Sequence, residues 1–346
     1  MPTTTTTTVS PLPPSSCERN ARISQNHGFY IRHPPQPHLL MDNRTDEGDL
    51  FQTIHMGAVD VDVQKYLLVI DGLVQRPYAL TYDQLRAFPS THVTAFHECF
   101  GSPLAPSTTA LWRVGNVTWT GVMLRTLIDY ARPLPSAKFV WSDGLDSGTF
   151  AGVVADRYQK DMTLEKALAP ETLVAWAMNG EPLGKECGGP VRLVVPGWFG
   201  TNSTKWLCKL SLQDERARGV YTTTFYNIEM EGGATRPVWQ VDVNSMITKP
   251  APDTVVDGKG VQVEGWAWSC DEVARVELSS DGGKIWIQGR VEERTGFSWQ
   301  KFWANLELRP GEYTLMAKAT SGEGKMQTLS GTRNHVHSVR IRVSDS

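Results

Sequence analysis

The sequence predicts a mixed α+β domain followed by an immunoglobulin-like β-sandwich, and three observations carry that expectation. At 346 residues the chain exceeds what one hydrophobic core usually serves, while its 40% hydrophobic content is that of an ordinary folded protein. The first part interleaves apolar, β-branched runs with short helical periodicities and lacks a regular βαβ rhythm. From residue 261 onward only short alternating strands are visible.

Taken in order, residues 1–22 read as a disordered leader, because 1–16 is Thr- and Pro-rich without the basic start or apolar stretch of a secretory signal. Arg19 and Arg22 leave mitochondrial or other organelle targeting open, but Glu18 and the missing amphipathic stretch make the cytoplasm the default location. Tyr66 to Val74 is an apolar run suited to a buried strand. Thr81 and Gln84 stand at capping-box spacing, so a helix containing Leu85 should start there and stop before Pro89. His92 to Cys99 reads as a strand with Val93 and Ala95 on one face, broken by Gly101 and Pro103. Cys99 is thereby placed at a strand-to-loop junction.

Met123/Leu127 and Leu124/Ile128 predict a short helix over Gly121 to Tyr130. Pro190 to Val195 is a further strand, closed by Pro196-Gly197. Asn244 to Gly260, polar and holding Pro250 and Pro252, reads as a linker. The expected division is therefore 23–243 for the first domain and 244–346 for the second. In the latter, Val261, Val263, Gly265 and Ala267 alternate, as do Val339, Ile341 and Val343, and Asp281-Gly282 supplies a hairpin turn.

Charge and cysteine usage exclude several classes. Lys plus Arg (34) nearly balances Asp plus Glu (37), so no global field favours nucleic acid or an anionic membrane. No apolar run approaches the roughly 20 residues of a membrane span. The five cysteines, Cys17, Cys99, Cys187, Cys208 and Cys270, form no CxxC pair and no zinc spacing. The sequence contains no His-Pro-Gly-Gly or CxxCH for haem and no GxGxxG for a flavin or nicotinamide. Electrons would then be exchanged with an external acceptor or donor.

The chemistry-bearing blocks are His97-Glu98-Cys99-Phe100-Gly101 with Trp119-Thr120-Gly121-Val122, Gly144-Leu145-Asp146, Met178-Asn179-Gly180-Glu181-Pro182-Leu183, and Gly189-Pro190-Val191-Arg192 through Trp198 to Lys205-Trp206-Leu207. In this order they resemble the molybdenum–pterin domain of the sulfite oxidase family. Gly265-Trp266-Ala267-Trp268-Ser269 and Asp281-Gly282-Gly283-Lys284-Ile285-Trp286 resemble that family's dimerisation domain. The resemblance implies one molybdenum–molybdopterin per chain, with Cys99 as the protein thiolate on the metal, a soft ligand for a soft-ligated redox metal. It implies pterin or phosphate contacts at Arg32, His33, Asp146, Arg192, Lys205 and Gly200, Thr201, Asn202 and Ser203, and a homodimer. Cys187 stands where sulfite oxidases carry a pterin-touching histidine. Tyr221 resembles the active-site tyrosine, with Tyr226 as its rival.

The pattern also departs from the family. Members acting on sulfite or nitrate read Cys-Ala-Gly-Asn-Arg-Arg, whereas here the text is Cys99-Phe100-Gly101-Ser102-Pro103-Leu104, and Ser330 replaces a further arginine. A buried dianion needs cations. Arg113 or His97 would have to supply that charge; strand alternation puts His97 on the face of Cys99. The expected function is oxygen-atom transfer on a small molecule other than sulfite. Alternatives are sulfite oxidation with relocated arginines and a cofactor-free dimeric binding protein.

Overall fold

The structure, a computed structural model, describes residues 17–102, 112–230, 232–257, 260–329 and 334–344. Ser330, Pro103 and Leu104 lie outside the described residues.

Two five-stranded sheets frame the first domain. One runs in the order Gln159–Thr163, Phe139–Gly144, Leu207–Gln213, Leu67–Gly72, Tyr78–Thr81; the other runs Glu181–Pro182, Leu173–Met178, Val114–Met123, Thr91–Glu98, with Arg192–Val194 also on Leu173–Met178. The apolar run read at 66–74 forms the 67–72 strand, and its Leu68 and Ile70 are fully buried in a core shared with Val122, Leu127, Val140, Val174 and Leu210. Burying such side chains contributes roughly 1.5–3 kcal/mol each.

The α+β reading holds, with a small helical share. Tyr82–Arg86 begins at the expected capping box, where Gln84 N–H donates to Thr81 Oγ1 (3.2 Å) and Thr81 N–H to Gln84 Oε1 (2.9 Å). The helix expected from Gly121 begins only at Leu124 and runs to Ala131, because Gly121–Met123 finish the preceding strand. A Cβ on Gly121 would lie 2.1 Å from the Val174 carbonyl oxygen, so this strand crossing requires glycine.

Two expectations are corrected here. Residues 17–22 belong to the folded body: Cys17–Ala21 form a 3-10 turn, Arg22–Gln25 a strand, and Ala21 is fully buried. Residues 244–260 are not a plain linker either. Asn244–Lys249 is a buried strand and Thr254–Asp257 a second one. Their polarity hid them, because the buried oxygens of Asn244 and Ser245 find partners far along the chain: Ser245 Oγ donates to Gln327 Oε1 (2.7 Å), and Gln327 Nε2 donates to Asn244 Oδ1 (3.0 Å).

The second domain packs the sheet 244–249, 261–268, 300–306, 290–291 on the sheet 254–257, 337–344, 311–321, 273–279, 287–288. Val261, Val263, Ala267, Val339, Ile341 and Val343 point into its core, as their alternation requires. Asp281 shapes the hairpin turn, accepting from Lys284 N–H and Ile285 N–H at 3.0 Å each.

The domains are joined by an aromatic seam. Trp266, Trp268 and Trp299 are buried with Phe96, Trp112 and Phe199, and Trp266 stacks on Trp299 at 4.8 Å. Trp266, Trp268 and Trp299 of the sandwich thus face the first domain. Phe297 extends the 91–98 strand at its edge, with Phe96 N–H donating to Phe297 O (2.9 Å) and Phe297 N–H to Thr94 O (3.2 Å). No helix among the described residues is long and apolar enough to cross a membrane.

Candidate functional site

Cys99 ends the 91–98 strand, and its N–H donates to Arg113 O at 2.8 Å, one step beyond the Glu98–Val114 pair. Its thiol is partly exposed and accepts from Gly101 N–H (3.3 Å), with Thr53 Oγ1 at 3.5 Å. The thiol lines a cleft enclosing about 650 Å³, part of it open to solvent. His97, Asp146, Arg192, Gly200, Thr201, Ser203 and Lys205 line the same cleft. Blocks far apart in sequence therefore converge on one concave space, where a small-molecule site is expected.

Each of these side chains has a physical reason for its place. Arg192 is buried, donating to Cys187 O (2.9 Å) and Ser203 O (3.1 Å) while lying 4.8 Å from the Trp119 ring centroid. Burial depresses its basicity to about 10. Lys205 Nζ donates to Gln52 Oε1 (2.7 Å) and Glu186 O (2.6 Å), and burial, reinforced by Arg192, pushes it down to about 7. Neither cation forms an ion pair among the described residues. Asp146 has a carboxylate oxygen with no hydrogen-bond partner, and burial raises it to about 7. Gly200 lies under the His97 ring: a Cβ there would sit 2.8 Å from His97 Nε2.

His97 does share the cleft with Cys99, but it cannot supply charge. Stacked on Phe51 at 5.6 Å and buried near Arg192 and Lys205, its imidazole is held well below its ordinary pKa and stays neutral. Arg113 is the cation beside the thiol. A Cβ built on Gly101 would lie 2.6 Å from Arg113 Nη1 and 3.5 Å from Cys99 Sγ.

Other expected residues fall outside the cleft lining. Tyr221 is fully buried behind it, its ring tilted against Tyr158 at 4.3 Å, and Tyr226 occupies the cleft instead. Arg32 stands to one side, paired with Glu186 at 3.3 Å and donating to Glu47 O (2.9 Å); His33 is exposed. Cys187 is buried under Gln52 and Glu47, its thiol accepting from Gln52 Nε2 at 3.3 Å. Asn202 donates to Phe199 O (2.9 Å) and Val238 O (3.0 Å), which makes it a brace for the loop.

Sequence reasoning missed Gln52, Thr53, His55 and Tyr158. The first three surround the strand Gln52–Ile54, which pairs with Tyr30–Arg32 through Ile31 and Thr53. Alternation of Thr53 and His55 is the one local signal that could have shown them on a common face. Tyr158 braces the loop at Thr201, donating to Thr201 O at 2.7 Å.

Residues 55–221 match the family model of the oxidoreductase molybdopterin binding domain, and 235–334 match the Mo-co oxidoreductase dimerisation domain. The chain belongs to the sulfite oxidase family of molybdopterin oxidoreductases. Within that family it is similar to mitochondrial sulfite oxidase of Rattus norvegicus, 27% identical over 339 residues covering 88% of this chain and 61% of the relative. The NADPH nitrate reductase of Aspergillus niger is 29% identical over 305 residues, covering 78% of this chain and 34% of that protein. The sulfane dehydrogenase SoxCD from Paracoccus pantotrophus superposes with a TM-score of 0.78 at 28% identity, over 92% of this chain and 88% of that one. The chain spans about three fifths, 61%, of the length of the first curated relatives it matches.

The donor set fits the molybdopterin that the family implies. A thiol at the mouth, the buried Arg192 and half-buried Lys205 without carboxylate partners, and an unpartnered Asp146 oxygen call for a group that brings anionic charge and an N–H edge. Among the described residues no cluster of three or more His, Cys, Asp or Glu competes to hold a bare metal ion.

Proposed function

We propose that this chain is a molybdopterin-dependent oxidoreductase that works on a small molecule less anionic than sulfite. The observation that carries the reading is the Cys99 thiol opening onto a cleft floored by Lys205 and Arg192, with Arg113 as the cation beside it. Cys99 would hold the metal, while Lys205, Arg192 and Asp146 would grip and orient the pterin. The bound cofactor supplies two-electron oxygen-atom transfer at sulfur or nitrogen, the electrons being exchanged with an external partner.

The chain's own residues shape what enters. Phe100, Phe51 and Tyr226 wall the cleft and limit water. One guanidinium suits a monoanion or a polar neutral group better than a dianion, since an underpaired buried charge is costly. Arg113 also favours a second reading, sulfite oxidation with a relocated arginine. Relative kcat/KM for sulfite and for neutral sulfoxides, N-oxides and thioethers separates the two.

The experiment that tests the class is elemental analysis of protein from a host that makes the pterin. The parent should carry one molybdenum per chain, and Cys99→Ser should lose most of it while melting as the cofactor-free parent does, because a hydroxyl is a poor soft-metal ligand. A metal-free parent would refute the reading.

A homodimer is part of the proposal, supported by the match to the dimerisation model. With the seam tryptophans buried inside the chain, the exposed Ile285 and Ile287 on the 273–288 hairpin offer apolar anchors for a second copy. Light scattering should give twice the chain mass at micromolar concentration, and Ile287→Glu should lower it; a monomeric parent would count against both.

A further inference from the structure

Tyr226 reaches the cleft on a backbone that side-chain-bearing residues seldom adopt, with φ at 60°. Its ring meets Phe100 edge-on at 6.0 Å, and Lys160 Nζ lies 5.5 Å from its centroid. Its hydroxyl hydrogen-bonds His55 Nε2. The imidazole in turn is boxed by aromatic edges, Phe150 at 4.7 Å and Tyr221 at 5.2 Å, with Tyr158 at 5.5 Å.

The surroundings fix its state. Burial, with Lys205 and Lys160 nearby, drives the His55 imidazole down to about 3, so the ring is neutral. A neutral imidazole offers one bare nitrogen, which accepts a hydrogen bond more strongly than a phenol oxygen does.

We propose that His55 is a positioning residue: its Nε2 takes the Tyr226 hydroxyl hydrogen and turns the phenol's lone pairs toward the cleft, selecting substrates that carry their own hydrogen-bond donor. Such substrates are protonated monoanions or neutral molecules bearing O–H, N–H or S–H. The inference rests on the reading of the Cys99 cleft as the substrate site. Arg113 would meet the charge, and Tyr226 would meet the proton-bearing atom.

The test uses the holoenzyme and two inorganic anions at about pH 6, phosphate, which carries donors, and sulfate, which carries none. In calorimetric titration His55→Phe should weaken phosphate about tenfold and leave sulfate within about twofold, the size of one lost hydrogen bond. Tyr226→Phe should do the same, and the double variant should be no weaker than Tyr226→Phe alone. A fluorotyrosine placed at 226 supplies a readout without turnover: its fluorine resonance should move in His55→Phe, with or without cofactor.

Equal losses for both anions, additive effects in the double variant, or an unmoved resonance would each overturn the assignment. If His55→Phe fails to fold, Tyr226→Phe alone decides it through the phosphate-to-sulfate ratio. A molybdenum-free parent with a shifted resonance would refute the cofactor reading and not the His55–Tyr226 pair; a loaded parent with an unmoved resonance would do the reverse.

Discussion

Trp268, in the sandwich domain, donates its indole N–H to Glu98 Oε2 at 2.8 Å, directly before Cys99 in the chain. The bond crosses the domain seam and ends on a fully buried carboxylate. The second domain therefore holds the strand end that presents the thiol. Trp268→Phe keeps the ring packing and removes the donor, leaving a buried acceptor unmet at a cost of roughly 1–3 kcal/mol. The variant should melt several degrees lower, and Cys99 should react faster with a thiol reagent in cofactor-free protein. Unchanged melting would show that the seam's packing alone holds this strand.

Where chemistry is local, the sequence was legible. Thr81 and Gln84 show the capping box three residues apart, and Gly101 shows where the strand carrying Cys99 must stop. What escaped is tertiary. His55 follows a three-residue strand that has a purpose only once Tyr30–Arg32 pairs with it. Tyr226 was ranked below Tyr221 because nothing in the text reveals its left-handed φ of 60°, which turns it into the cleft. Asn244–Lys249 passed for a linker because its buried Asn244 Oδ1 and Ser245 Oγ are met by Gln327, far along the chain.

The buried charges give the cofactor-free protein a distinctive pH profile. Lys205 is held at about 7 by burial and by Arg192, against about 10.4 in an unfolded chain. Between those values the unfolded chain keeps a proton that the folded one has released, so this group makes stability rise with pH. Below about 7 the ammonium is charged in both states, and its full burial penalty applies. Asp146, raised to about 7 by burial, acts oppositely: from the ordinary carboxylate range up to about 7 the folded state holds the extra proton, and stability falls as pH rises. Melting curves of parent and Lys205→Met should therefore shift in the parent's favour from about pH 7 to 10. Parent and Asp146→Asn should shift against the parent from about pH 4 to 7. Flat differences across those windows would mean that water reaches both groups.

The last prediction concerns Arg113, whose guanidinium and the Cys99 thiol converge on the space over Gly101. Arg113→Met removes the charge and keeps most of the volume. A charge-assisted contact to an anion is worth roughly 1.5–3 kcal/mol, so kcat/KM for an anionic substrate such as sulfite should fall by about one to two decades. A neutral sulfoxide or thioether should be nearly indifferent. Gly101→Ala provides an independent approach, because its Cβ would come within 2.6 Å of Arg113 Nη1 and the flexible guanidinium must give way. It should reproduce part of the same anion-specific loss with the arginine still present. If both variants slow anionic and neutral substrates alike, Arg113 shapes the loop and does not meet the substrate. If Arg113→Met leaves sulfite turnover intact, the charge that binds anions lies elsewhere in the cleft, and Lys205 becomes the residue to change next.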